Sequence, residues 1–194
     1  SVYEVPVNFV KDKFDLKILQ RFGLKPKSKD LRDWTAFVNK TRRLQKPVKI
    51  GIVGKYFGTG DFILADSYIS VIESLKFAAW ANNRKPELTW LDSQVYEKDK
   101  SRVKELRKFD GILIPGGFGS RGTEGKMKAI QFCRENKIPY FGLCFGLQLA
   151  VIEFARNVCG LKDATSREFQ KNAKVPVIDV MPEQKALLEE KRFG

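Results

Sequence analysis

From residue 48 onward, short unbroken apolar runs alternate with stretches whose apolar residues recur at helical spacing. The runs 48–54, 88–91, 111–115 and 138–143 read as strands, because they are brief and rich in Val, Ile and Leu. Between them, 65–83 reads as a helix with Ile69, Ile72, Leu75 and Ala79 on one face. The stretch 102–108 sits in a polar helix, and 123–135 reads as a third. Another helix follows residue 144, and 175–180 reads as a later strand that Pro176 assigns to a sheet edge. Strands that are apolar throughout need cover on both faces. The pattern therefore predicts an α/β fold: a Rossmann-like or flavodoxin-like three-layer sandwich with a mostly parallel sheet. A short helical N-terminal segment precedes it.

That segment, residues 1–46, reads as irregular chain plus two helices. Asp30 is placed as the N-cap of a helix over 31–44, where Leu31, Trp34, Val38 and Leu44 fall near helical spacing, and Pro47 ends the stretch. The segment is too short and too charged to bury a core of its own, so it is expected to pack on something else. The predicted division is thus 1–46 and 47–194. A cut after Leu44 is expected to leave 47–194 folded with little loss of stability.

Composition narrows the classes. With 43% hydrophobic and 30% charged residues over 194 positions, the chain reads as a soluble globular protein with no membrane span. No basic-then-apolar leader opens it, so no secretion signal is expected. Three cysteines, Cys133, Cys144 and Cys159, show no paired spacing, which points to a reducing compartment, the cytoplasm. With no C-x-x-C and no His, no metal site is expected. The net charge of +13 is concentrated at the N-terminus, where residues 1–46 hold 12 Lys+Arg against 5 Asp+Glu. No aromatic-rich nucleic-acid signature accompanies it, so a solvated helical surface is favoured over a contact with an acidic partner, and no nucleic-acid partner is expected.

The chemistry concentrates at Gly142-Leu143-Cys144-Phe145-Gly146, a G-x-C-x-G between a strand and a helix. This is a nucleophile elbow with sulfur in place of oxygen. The helix end should favour a thiolate there. After the third strand comes Gly116-Gly117-Phe118-Gly119-Ser120-Arg121-Gly122. One backbone N–H from this loop and one from Phe145 could converge beside Cys144 as an oxyanion hole. Residues 117–122 also spell the dinucleotide fingerprint G-x-G-x-x-G, but no acid follows at the end of the next strand, so nicotinamide or flavin binding is disfavoured. A thiol nucleophile ordinarily has a His partner, and this chain has none.

The pairing of Gly-Gly-Phe-Gly with Gly-Leu-Cys-Phe-Gly-Leu-Gln resembles the class I (triad) glutamine amidotransferases. Further stretches resemble the CTP synthase family specifically: Val53-Gly54-Lys55-Tyr56, Asp66-Ser67-Tyr68, Arg121-Gly122, 150–157 and Ser166-Arg167-Glu168-Phe169. The resemblance covers essentially the whole chain, with 1–46 like the connector that follows that family's synthetase domain. It implies a glutaminase that hydrolyses L-glutamine through a Cys-His-Glu triad. Ammonia would pass to the synthetase domain of the same polypeptide, which aminates UTP to CTP with ATP and Mg2+, with GTP as activator. It implies no cofactor on this domain itself and a tetrameric homo-oligomer for the full enzyme. Cys144 would be the nucleophile, and Gly116, Gly117, Phe118 and Phe145 the oxyanion and substrate loop. Gln148 and Glu168 would contact the bound glutamine, Glu168 through the α-ammonium. The triad His and Glu would lie beyond Gly194. The stretch 58–62 is longer than the resemblance leads one to expect and reads as a flexible loop. Three rivals remain open: another class I amidotransferase, a thiol hydrolase or isomerase of related fold, and a regulatory domain with a degenerate triad.

Overall fold

The computed structural model describes residues 1–26, 30–54, 68–117 and 122–184. The motif residues Lys55, Tyr56, Asp66, Ser67, Phe118 and Arg121, and the stretch 58–62, lie outside them. The chain divides into two compact units, one of Ser1–Pro47 with Lys76–Lys85 and one of Val48–Leu75 with Pro86–Gly194.

The first unit begins with a 3₁₀ turn, Val2–Glu4, followed by α1 (Val5–Lys11), α2 (Phe14–Arg21) and α3 (Arg32–Arg43). Three α-helices thus stand where two were expected. Asp30 is not the cap residue. Leu31 is, without a side-chain cap, and the Asp30 carboxylate instead accepts from the Arg32 amide at 3.0 Å and pairs with its guanidinium. The expectation that 1–46 cannot make its own core meets a physical answer within the unit. Tyr3 packs edge-on against Phe37, Phe77 and Trp80, with centroids 5.2 to 5.8 Å apart, and Phe37 stacks on Phe77. Trp34 Nε1 donates to the Tyr3 carbonyl, and Arg42 pairs with Glu4. Two of the aromatic partners come from residues 76–85, so the unit extends past residue 46.

The second unit is built on a four-stranded sheet of β1 (Pro47–Gly54), β2 (Lys85–Asp92), β3 (Gly111–Ile114) and β4 (Tyr140–Gly142), in the order β2-β1-β3-β4. β1 with β3, and β3 with β4, run parallel. This is the flavodoxin-like order, in which ligand sites lie beyond the carboxyl ends of the strands. The connections are α4 (Ile69–Ala81), whose residues from Lys76 on belong to the first unit, α5 (Ser93–Lys98) with a 3₁₀ helix (Lys100–Lys108), and α6 (Thr123–Glu135). Then come α7 (Phe145–Asn157) and a separate parallel pair, β5 (Ala164–Ser166) with β6 (Val175–Ile178). Neither α5 nor β5 was expected. The later strand ends at Ile178 and pairs with β5, not with the main sheet.

The main core cluster lies on one face of the sheet, and Ile52 and Leu113 on the other face are buried too. Val53, Leu91, Ile112 and Ile114 meet Tyr96, Leu106 and the buried faces of α6 and α7. Gly51 leaves room for the core side chains there: a Cβ would lie 2.8 Å from Ile112 Cδ1 and 2.9 Å from Leu91 Cδ1, so those methyls would have to shift. The expected cover on both faces is unequal. On the other face Phe141 is 62% exposed beside a shallow apolar groove of about 220 Å³. Ile69, expected on one face of its helix with Ile72, Leu75 and Ala79, is 50% exposed whereas Ala79 is buried.

Candidate active site

β4 delivers the chain to the elbow. The Leu143 amide donates to the Ile114 carbonyl at 2.9 Å, extending the β3–β4 ladder by one step. The chain then turns at Cys144, whose φ of 49° and ψ of −106° are rare for a residue with a side chain. The Gly146 amide closes the turn onto the Leu143 carbonyl at 2.8 Å, and the Leu147 and Gln148 amides both donate to the Cys144 carbonyl. The Phe145 amide precedes these at the start of α7.

The two flanking glycines are steric requirements. A Cβ at Gly142 would lie 2.6 Å from both the Gly146 carbonyl carbon and Tyr140 Oη, and a Cβ at Gly146 would collide with the Ile114 carbonyl oxygen. Tyr140 latches the turn by donating its hydroxyl to the Gly146 carbonyl at 2.7 Å. Burial pushes that phenol well above its ordinary range, so it remains a donor at any physiological pH. Cys144 is exposed, as is Cys159, whereas Cys133 is enclosed in the core and burial pushes its thiol up to about 12.

Beyond β3, Gly116 passes against Cys144: a Cβ there would sit 3.6 Å from Cys144 Cβ. Gly117 follows, and Phe118 lies outside the described residues. Phe145 is buried with its ring edge-on to Phe169, centroids 5.5 Å apart. Gln148, in the first turn of α7, and Glu168, just past β5, line one cleft of about 580 Å³ together with Ser166, Asp179 and Met181. Glu168 is exposed, and its amide is held by Ser166 Oγ at 3.1 Å. Gln148 Oε1 is buried and has no hydrogen-bond partner among the described residues. Arg167 closes one side of the cleft through a 2.7 Å pair with Asp179.

The structure thus brings Cys144, Gly116 and Phe145 together at one strand edge, and Gln148 and Glu168 together in a neighbouring cleft whose described lining does not include Cys144. Two residues were not found from sequence. Tyr140 carried no signal beyond being aromatic in a strand. Lys126 is buried against this site, and its signal was a charge in step with Ala129, Ile130 and Cys133 on the apolar stripe of α6. Among the described residues no group of three or more His, Cys, Asp or Glu could hold a metal ion, and no helix is long and apolar enough to cross a membrane.

Against known proteins, the family model for glutamine amidotransferase class-I matches residues 63–187. A CTP synthase of Methanococcoides burtonii is 48% identical over 189 residues, covering 97% of this chain and 34% of the relative. One from Azospirillum brasilense is 49% identical over 186 residues, covering 94% of this chain and 33% of the relative. The chain therefore spans about a third of the length of the curated relatives it matches. Among solved structures, the Trypanosoma brucei CTPS glutaminase domain with bound acivicin is similar with a TM-score of 0.64 and 40% identity, over 71% of this chain and 51% of that one. With the elbow at Cys144, the glycine loop beside it and a family match spanning both, the chain belongs to the class-I glutamine amidotransferases.

Proposed function

We propose that this chain supplies the glutaminase activity of a CTP synthase, hydrolysing L-glutamine so that ammonia can aminate UTP to CTP in a synthetase domain of the same polypeptide. The observation that carries the reading is the backbone of Cys144, held at a positive φ with Gly116 against its Cβ at the carboxyl edge of the sheet. The Cys144 thiolate adds to the side-chain carbonyl carbon of glutamine. The carbonyl electron pair moves to oxygen, where an amide of the 116–118 loop and that of Phe145 hold it. Collapse of this adduct breaks the C–N bond, and the nitrogen takes up a proton and leaves as ammonia. Water then cleaves the thioester, giving glutamate and the free thiol. Glu168 holds the substrate's α-ammonium, and Gln148 presents its unpaired oxygen to the same ligand.

The 194 residues contain no His, so this chain alone is expected to bind glutamine and turn it over slowly, because triad members act as a unit. In the whole enzyme, ATP, UTP and Mg2+ belong to the synthetase domain and GTP is the activator. The assembly is a cytoplasmic tetramer. A chloroketone analogue of glutamine tests the site. Peptide mapping should find Cys144 labelled, Cys133 and Cys159 spared, and the labelling suppressed by glutamine. Labelling shared equally among the three thiols, or unaffected by glutamine, overturns the reading.

A further inference from the structure

Lys126 is the feature that glutamine hydrolysis as outlined above leaves unused. Its side chain is 1% exposed, in the first turn of α6. Lysine is almost never buried so completely, because taking an ammonium out of water is strongly unfavourable unless something answers the charge. An apolar residue of similar length would fill the same space without that penalty. The placement of its amine indicates what the charge is for. Nζ lies 5.1 Å from the centre of the Phe145 ring and 3.8 Å from where a Cβ on Gly117 would sit. Gly117 and Phe145 belong to the two backbone segments that carry the proposed oxyanion donors. Gly116, one residue before Gly117, packs against Cys144.

We infer that Lys126 is a positioning residue for the oxyanion site: its buried ammonium bridges the 116–117 loop and the Phe145 ring, fixing the separation of the two donor segments and adding positive potential behind them. A cation in a water-poor setting acts on charge that develops nearby far more strongly than one at the surface. Its influence falls on the step in which the substrate's carbonyl oxygen becomes negative. It does not fall on recognition of the substrate's distal groups, which Gln148 and Glu168 are proposed to make. The ring contact is suited to the purpose, since a desolvated cation over an aromatic face is attracted to it. This inference rests on the glutaminase reading.

The test compares Lys126→Met, which keeps the stem and removes the charge, with Lys126→Arg, which keeps the charge. Each is treated with the chloroketone analogue of glutamine on the 194-residue chain, and the maximal labelling rate of Cys144 is separated from the half-saturating concentration. In that labelling a C–S bond forms, the C–Cl bond breaks with loss of chloride, and the thiol proton goes to water. K126M is expected to unfold cooperatively, to keep the half-saturating concentration, and to label about 10- to 100-fold more slowly, with K126R between it and the parent chain. A merely structural lysine would move the melting temperature and the half-saturating concentration along with the rate. If K126M does not fold, K126Q replaces it in the comparison with K126R. Parent-like labelling by the uncharged variant overturns the role of Lys126 while leaving the glutaminase reading intact. Failure of glutamine to protect the parent chain overturns that reading, and this inference with it.

Discussion

Gln148 and Glu168 differ in how they sit in their cleft, and the difference shapes what each should contribute. Gln148 Oε1 is buried with no partner among the described residues, so it gains most when a ligand donor arrives. Glu168 is exposed, with only its backbone amide tied down by Ser166. A charge-assisted contact to an ammonium is worth about 1.5–3 kcal/mol, or about 10- to 100-fold in affinity. Glu168→Ala or Gln148→Ala should therefore weaken glutamine binding by that order with native circular dichroism unchanged. Calorimetric titration reads the affinity, and parent-like binding in both variants would remove these residues from the substrate site. At this scale the elbow was legible because each of its glycines answers a clash that only a side-chain-free position avoids, and such requirements show directly in a sequence. Lys126 was not, because a lysine in an amphipathic helix is ordinarily a surface residue, and only its phase with Ala129 and Cys133 says otherwise. Tyr140 was not, since its latch onto the Gly146 carbonyl depends on a turn that brings residues 140 and 146 together.

Elements were legible where their hydrophobic period ran long enough. The helix expected over 123–135 is observed as Thr123–Glu135, and strands were expected within a few residues of each of β1 to β4. The misses are short. α5 has six residues, started by Asp92 accepting from the Gln94 amide, and buries little beyond Ser93 and Tyr96. β5 is the three residues Ala-Thr-Ser, polar enough to read as loop, and it exists because β6 gives it a parallel partner. One interaction between elements has energetic weight that sequence could not show. Glu153 on α7, with its side chain 2% exposed, accepts hydrogen bonds from Arg134 Nε, shared between both carboxylate oxygens, and Nη2 on α6, and another from Asn157. Removing one partner of a buried pair strands the other, which is typically destabilising by about 3–5 kcal/mol. Arg134 is a third exposed and can recover some hydration, so Glu153→Ala should lower unfolding free energy by about 2–3 kcal/mol, below that range. Urea unfolding measures it, and a loss under about 0.5 kcal/mol, the size of an ordinary surface substitution, would show that the pair does not hold α6 to α7.

At the scale of the whole chain, the expected boundary between 46 and 47 looked clean because charge and periodicity both change there. The aromatic cluster changes that expectation. Phe77 and Trp80, which would remain in a chain of 47–194, have Tyr3 and Phe37 as packing partners within the first unit, and Tyr3 in turn packs against Trp34. Periodicity shows that a helix has an apolar stripe, but not which distant segment covers it, so this cluster was invisible in the sequence. Removing residues 1–46 would uncover the ring of Trp80 and the covered part of Phe77, which is already 46% exposed, near the end of α4. Burying a side chain of that size is worth about 1.5–3 kcal/mol, and each well-placed aromatic pair adds about 0.5–1.5 kcal/mol. The 47–194 chain should therefore still unfold as one transition on its own sheet and core, but about 3 kcal/mol less stably than the full 194 residues. It should also bind an apolar dye that the full chain excludes. Replacing Phe77 and Trp80 with Ser in the truncated chain should abolish the dye binding with little further loss of stability, since Tyr3 and Phe37 are already gone and only the contact between the two rings, 5.5 Å apart, is left to lose. Denaturant unfolding of the three proteins side by side decides the point. Equal stability of the full and truncated chains would mean that the N-terminal helices contribute nothing to the fold of the rest and that the boundary read from the sequence stands as drawn.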